Sequence, residues 1–164
     1  MPKCWFSIWR AEPSSSSFTT TPLYEQTKIM MTAPLALIGR ILLALMFVPA
    51  GFSKFAGLSG TAGYIASKGL PFPMLLAIGA GVLEVVAGLA IIVGWRTRIA
   101  ALALALFTLL AALIFHAYWS LPADQQMMQQ LLFMKNVSVT GGLLLLAAFG
   151  AGALSLDARR GTKP

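Results

Sequence analysis

Polar side chains interrupt the apolar stretches of this chain at a few positions, and they are the residues whose types could do chemistry. Glu84 is the only charged residue of the segment GAGVLEVVAGLAIIVG, residues 79–94. In a helix, small residues occupy the positions three and four away from it: Ala80, Gly81, Ala87 and Gly88. Because small residues allow helices to approach closely in a membrane, we predict that Glu84 faces the interior of a helix bundle.

A charge at the centre of a membrane span costs about 2.5 to 3.5 kcal/mol on insertion scales, so Glu84 should have a partner. Arg40, in the preceding apolar segment, is expected one or two helical turns from the depth of Glu84. We therefore predict a buried ion pair between Arg40 and Glu84, in which each charge offsets the burial cost of the other. The alternatives are a protonated Glu84 that is hydrogen-bonded to a neighbouring helix, or a proton-handling group.

A second polar group is expected at a different depth, towards the outer boundary of the spans. It consists of Lys54, His116 and Lys135, extended by Asn136 and Tyr118. A cavity lined by lysine and histidine would suit a quinone head group, an anion or a small oxidised ligand. The alternative is that the two lysines extend to lipid headgroups and His116 is an interfacial histidine.

No set of residues in the sequence meets the requirements of a catalytic site. There is no nucleophile–base–acid set, no metal-ligand spacing and no glycine-rich phosphate loop. One cysteine, Cys4, and one histidine exclude an internal disulfide, a CxxC pair and two histidine haem ligands from one chain. We therefore predict no catalytic residue, no metal site and no haem site. The sequence favours a protein that is not an enzyme on its own, and at most a subunit of one.

The composition indicates a membrane protein. The chain is 58% hydrophobic, 10% charged and has a mean hydropathy of +0.80, whereas an ordinary soluble domain carries roughly 25% charged residues. The net charge of +7 comes from Lys and Arg at segment edges, the pattern of membrane flanks, and this argues against nucleic-acid binding. The expected surroundings are a lipid bilayer.

Four apolar segments, at about residues 33–55, 72–93, 99–119 and 133–154, each have the roughly 20 residues that a membrane-spanning helix needs. The sequence therefore predicts an all-α integral membrane protein, a bundle of four transmembrane helices within residues 32–158. A short interfacial helix is expected between the first two spans, and a polar surface stretch at residues 120–132. Gly141 and Gly142 are predicted packing contacts, like Gly81 and Gly88.

The basic residues predict the orientation. Five of them lie on the side of the termini and the second loop, and three lie on the other side: Arg96, Arg98, Arg159, Arg160 and Lys163 against Lys54, Lys68 and Lys135. The positive-inside rule then places both termini in the cytoplasm, with 159–164 as a basic tail. Residues 1–31 are polar and rich in Ser and Thr, and we expect a disordered extension. It is either a cytoplasmic tail or translated upstream sequence before a natural start at Met30 or Met31.

Several segments, in this order, resemble the DoxX family of small bacterial inner-membrane proteins: GRILLALMFVPAGFSKF, KGLPFP, GVLEVVAGLAIIVGWRTRIAALAL, HAYW and FMKNVSVTGGLLLLAAFGAGALSLD. The resemblance covers about residues 36–159. By position, the resemblance matches the family's first-span Arg and Lys to Arg40 and Lys54, and its second-span Glu to Glu84. It matches the third-span His to His116 and the Phe-x-Lys-Asn element to Phe133, Lys135 and Asn136.

The resemblance implies an association with membrane oxidoreductase systems, since family members resemble the small subunit of a thiosulfate:quinone oxidoreductase or are linked to oxidative stress. Three hypotheses follow. The chain is a redox- or quinone-associated accessory subunit beside an oxidoreductase partner, a transporter or binder of a small molecule in the outer cavity, or a structural membrane partner. The cofactor is not defined by the sequence, although a quinone is a candidate.

Overall fold

The computed structural model describes the backbone of residues 23–161 and the side chains of residues 32–161. Within that range the chain forms six α-helices and one short 3-10 turn, and it contains no strand. The helices are α1 (Leu23–Ala56), α2 (Leu58–Ser67), α3 (Pro73–Val93), α4 (Thr97–Phe115), α5 (Ala123–Phe149) and α6 (Leu156–Gly161), with the 3-10 turn at Tyr118–Ser120.

Four stretches of this helical chain are long and apolar enough to cross a membrane: Thr32–Ala56, Pro73–Val93, Thr97–Ser120 and Ala123–Phe149. This confirms the predicted all-α fold with four candidate spans. The expected interfacial helix between the first two spans is α2. It is flanked by Gly57 and Gly69, and the left-handed backbone of Gly69 (φ +73°) ends the segment.

Two helix boundaries differ from the sequence-based expectation. α5 begins at Ala123, so most of the polar stretch at residues 120–132 is the first part of the helix that forms the fourth candidate span, and not a separate surface element. Glutamine favours helix almost as well as leucine, and polarity alone therefore did not mark a break. α1 begins at Leu23, within the predicted disordered extension, while residues 1–22 lie outside the described part of the chain.

Glycines bring α1 and α3 into close antiparallel contact. A methyl group on Gly51 would lie 2.6 Å from Val85 Cγ2 and 2.9 Å from the backbone oxygen of Gly81. The Phe55 ring covers Gly81, and further along the same interface Val48 covers Gly88. These contacts leave no room for side chains, so the register of the two helices is fixed by shape.

The other two glycines named from the sequence behave differently. Gly142 faces Leu43 of α1 across the bundle, whereas Gly141 has no neighbouring atom within 4 Å of an added methyl group. The packing role predicted for Gly141 is therefore wrong. Gly141 and Gly142 are adjacent on a helix and therefore point about 100° apart, and here Gly142 is the one turned towards α1.

The end of the bundle that carries Arg96, Arg98 and Arg160, hereafter the arginine end, is closed by the C-terminal segment. Asp157 accepts hydrogen bonds from the backbone N–H of Arg96 at 2.7 Å and of Thr97 at 2.9 Å, and so it caps the first turn of α4. Its own N–H donates to the oxygen of Gly94. Burial by itself would raise the pKa of Asp157. The hydrogen bonds from Thr97 and Arg96 outweigh that effect, so the net pKa lies below the usual range of an aspartate.

The close contact at Gly51 predicts a clear asymmetry between two glycine-to-alanine variants. Gly51→Ala should destabilise the protein by about 1 to 3 kcal/mol, because the methyl group meets the backbone of α3. Gly141→Ala should leave stability unchanged or raise it by about 0.5 to 1 kcal/mol through helix propensity. Unfolding in mixed micelles measures both, and equal effects would contradict the described packing.

The Asp157 cap predicts a loss of stability in acid. A carboxyl whose pKa is lowered by folding stabilises the fold above its unfolded pKa of about 3.9, and that contribution disappears as pH falls through the lower folded value. Thermal unfolding of the wild type and of Asp157→Asn should therefore differ at neutral pH, begin to converge as pH falls below about 3.9, and converge fully only below the lower pKa of the folded state. A difference between the two that persists unchanged in acid would contradict the cap.

Candidate functional site

A cavity of about 330 Å³ lies in the half of the bundle away from the arginine end. All five longer helices line it, and most of its wall is apolar. The polar and charged residues of the wall are Lys54, Thr61, Tyr64, Glu84, Thr108, His116, Lys135 and Asn136, and the aromatic ones include Phe47, Phe107 and Phe115.

The charged floor of the cavity is an ion pair between α1 and α3. Lys54 Nζ donates to both carboxylate oxygens of Glu84, at 2.7 and 2.9 Å. The Glu84 side chain is 7% exposed and that of Lys54 is 25% exposed, so the pair is largely removed from the surroundings. The glycine contacts of Gly51 and Gly81 flank it, because close helix approach brings the two side chains within reach.

The predicted ion pair between Arg40 and Glu84 is wrong. The Arg40 guanidinium lies beside Gly94, at the far end of α3 and about 15 Å along that helix from Glu84 at 1.5 Å per residue. Its Nη2 donates to the backbone oxygen of Leu154 at 2.6 Å. The sequence-based estimate placed Arg40 too deep, because it did not include the C-terminal segment that folds over this side chain and buries it to 1% exposure.

His116 lies at the end of α4 and reaches the cavity with one ring nitrogen engaged. Its Nδ1 is 2.8 Å from Oε1 of Gln129 on α5. An amide oxygen only accepts hydrogen bonds, so this orientation places the hydrogen on Nδ1 and leaves Nε2 as an acceptor in the neutral ring. Gln129 belongs to the stretch that the sequence suggested to be a surface element, and its role as a partner of His116 was missed for that reason.

Lys135 and Asn136 of α5 line the opposite wall. Among the described residues, no carboxylate lies within ion-pair distance of Lys135, and the Asn136 side chain has no hydrogen-bond partner. Thr108 of α4 is 5% exposed, and its hydroxyl also has no partner within the described range. The cavity wall therefore carries polar groups whose hydrogen-bonding capacity the protein itself does not use.

Of the predicted outer group, Lys54, His116, Lys135 and Asn136 share the cavity, and Tyr118 does not line it. The Tyr118 ring packs edge-on against Trp119 and Phe133, with ring centres 5.2 and 5.8 Å away. Its place in the 3-10 turn directs it to this aromatic cluster. Thr108 also lines the cavity and was not predicted, because a single hydroxyl in an apolar span gives only a weak signal in the sequence.

Helix α2 forms one side of the cavity, and the sequence did not predict this contribution. Tyr64 packs its ring 5.3 Å from that of Phe115, and Ile65 is buried with Ala62 against Ala77 of α3. The amphipathic pattern of α2 predicted an interfacial helix, but it did not indicate that one face of this helix covers a cavity.

The cavity holds hydrogen-bond donors, acceptors and apolar walls, but no metal-ligand set. Among residues 32–161, no cluster of three or more His, Cys, Asp or Glu side chains is present. A hydrophobic pocket with a few convergent polar groups is the usual form of a small-molecule site.

The ion pair predicts a strong energetic coupling between its two residues. Lys54→Met should destabilise the protein by about 3 kcal/mol, because it leaves the Glu84 carboxylate buried without a partner. The double variant Lys54→Met with Glu84→Gln should cost about 1 to 3 kcal/mol less than the sum of the single variants. Unfolding in mixed micelles gives all four values of this cycle.

The matched control replaces the other buried cation. Arg40→Met and Glu84→Gln should be additive, because the Arg40 guanidinium lies beside Gly94, about 15 Å along α3 from Glu84, and shares no partner with it among the described residues. Coupling of Glu84 to Arg40 and not to Lys54 would contradict the described pair.

Comparison with known proteins places this arrangement in a family. The DoxX family model matches residues 35–117. Inner membrane protein YphA of Escherichia coli (strain K12) is 46% identical over 125 residues, which cover 76% of this chain and 89% of YphA. Inner membrane protein YqjF of the same organism is 43% identical over 122 residues, 74% of this chain and 88% of YqjF.

A more distant similarity extends to a eukaryotic protein. The ER-derived vesicles protein ERV29 of Saccharomyces cerevisiae (strain ATCC 204508 / S288c) is 28% identical over 122 residues, 74% of this chain and 32% of ERV29. No solved structure matches the chain. With its four candidate spans, the family match and two inner-membrane relatives above 40% identity, this chain belongs to the DoxX family.

Proposed function

We propose that this DoxX-family membrane protein binds a small ligand of the quinone class in the cavity between Lys54, His116 and Lys135, and that it acts as an accessory subunit beside a membrane oxidoreductase. The observation that carries the proposal is the composition of the cavity wall. Aromatic and aliphatic side chains surround a few polar groups that have hydrogen bonds still to make.

The polar groups match what a quinone head group needs. The Lys54 ammonium uses its N–H groups on the two Glu84 oxygens and has a third to donate to a carbonyl. The Asn136 amide and the Thr108 hydroxyl offer further donors from α5 and α4. In a hydroquinone the ring hydroxyl would instead donate to the free Nε2 of His116. The volume of about 330 Å³ is at the small end of ligand pockets, as expected for a head group without its isoprenoid tail.

The wall supplies binding and orientation rather than electron transfer. Among the described residues it carries no metal-ligand cluster and no cysteine. Redox chemistry would therefore take place on a partner that exchanges electrons with the bound ligand, which is why an accessory role is proposed.

The hydrogen bonds that hold the C-terminal segment at the arginine end support ligand binding more than transport as the function. A transporter alternates the access to its site between the two faces of the membrane. Here the C-terminal segment is held across the arginine end by Asp157, while Arg40 is tied to Leu154. With the arginine end in the cytoplasm of a bacterial inner membrane, by the positive-inside rule, both termini would be cytoplasmic and the cavity would open outward.

The direct test is equilibrium binding of a short-tailed ubiquinone analogue to the purified full-length protein in nanodiscs. We expect saturable binding that weakens at least tenfold in Ala111→Leu, because Ala111 lines the cavity and the larger side chain reduces its volume. Leu110→Phe is the matched control, since the adjacent Leu110 is 47% exposed on the outer surface of the same helix.

Two outcomes would contradict the proposal. Absence of saturable binding in the wild type would favour a structural role. Equal affinity in Ala111→Leu and the wild type would place the quinone outside this cavity.

A further inference from the structure

We infer that the cavity selects its ligand in an anionic form, a quinone-class compound that carries an ionised ring oxygen. This rests on the proposed function and adds the charge of the ligand to it. The inference comes from the arrangement of charges around the cavity and from the polar groups that have no partner there.

Among the described residues, the lining carries one lysine whose ammonium is paired with no carboxylate. Lys54 and Glu84 compensate one another, because both carboxylate oxygens of Glu84 accept from the Lys54 ammonium. Lys135 remains, and within the described residues no acid lies within 4 Å of its ammonium. Asp124, which precedes it on α5, does not line the cavity.

Lys135 reaches the cavity from the middle of α5. It lies twelve residues after Ala123, and its neighbour Asn136 lines the same cavity. The Lys135 side chain is exposed and not enclosed by protein, so its ammonium is available to a ligand that enters the cavity. A bound anion would supply a counter-charge to it, in the way that the Glu84 carboxylate supplies one for Lys54.

The remaining groups fit an ionised oxygen better than a neutral one. The Thr108 hydroxyl, 5% exposed and without a partner, can donate to it. The Asn136 amide and the Lys135 ammonium can donate as well, and hydrogen bonds from charged donors to an anion are roughly twice as strong as those between neutral groups. In contrast, Glu84 is held by Lys54 and does not present a free carboxylate that would repel the anion.

The test compares two ligands that differ in one ionisable group. Lawsone is a naphthoquinone whose ring hydroxyl is ionised at neutral pH, and the parent naphthoquinone lacks that hydroxyl. Binding to the full-length protein in nanodiscs of neutral lipid is measured at about pH 8, where the lawsone hydroxyl is ionised. We expect lawsone to bind at least about tenfold more tightly than the parent.

Two variants test whether the Lys135 ammonium causes the preference for the anionic ligand. Lys135→Gln should reduce the preference for lawsone, measured as the ratio of the two affinities in the same variant, to about twofold or less. Lys68→Gln is the matched control, because Lys68 lies on the same side of the bundle but stacks over the Tyr64 ring outside the lining. It should retain the full preference.

Equal binding of the two ligands, or tighter binding of the parent, would overturn the inference and leave the proposed function standing. A preference that survives in Lys135→Gln would also overturn it, since the selectivity would then arise elsewhere. Failure of both ligands to bind would contradict the proposed function itself.

Discussion

The ion pair between Lys54 and Glu84 is the interaction on which the rest of the site depends. It joins α1 to α3 in a part of the bundle where charges are expensive, and the glycines beside it let the two helices come close enough for contacts of 2.7 and 2.9 Å. The pair neutralises Glu84, the only carboxylate that the described residues contribute to the cavity wall. As a result, an apolar pocket can contain a buried acid and still accept a ligand with electron-rich oxygens.

The two ends of the bundle perform different tasks. At the arginine end, Asp157 caps α4 and the C-terminal segment covers Arg40, so the helices are held together by local hydrogen bonds. In the other half, the helices separate around a cavity, and α2 forms one side of it. The polar groups of the cavity therefore lie in the half of the bundle away from the arginine end.

The sequence predicted the fold well because membrane spans are defined by length and hydropathy, and these are local properties. The presence of helix α2 and the inward direction of Glu84 followed from similar local patterns. The choice of Lys54 over Arg40 as the partner of Glu84 did not, since depth estimated from segment ends cannot include a C-terminal segment that folds back over Arg40. For the same reason, Gln129 and Thr108 were missed: their roles depend on the register of α4 against α5, which no sequence pattern specifies.

The charge state of Glu84 is the most direct test of the central claim that a Lys54–Glu84 ion pair forms the cavity floor. Infrared spectra of protein labelled with ¹³C in the glutamate side chains, compared between the wild type and Glu84→Gln, isolate the absorption of this one carboxyl group. The account predicts that Glu84→Gln removes an ionised carboxylate band, and that Lys54→Met shifts this band in protein that retains Glu84. Loss of a protonated carboxylic-acid band instead, unaffected by Lys54→Met, would contradict it.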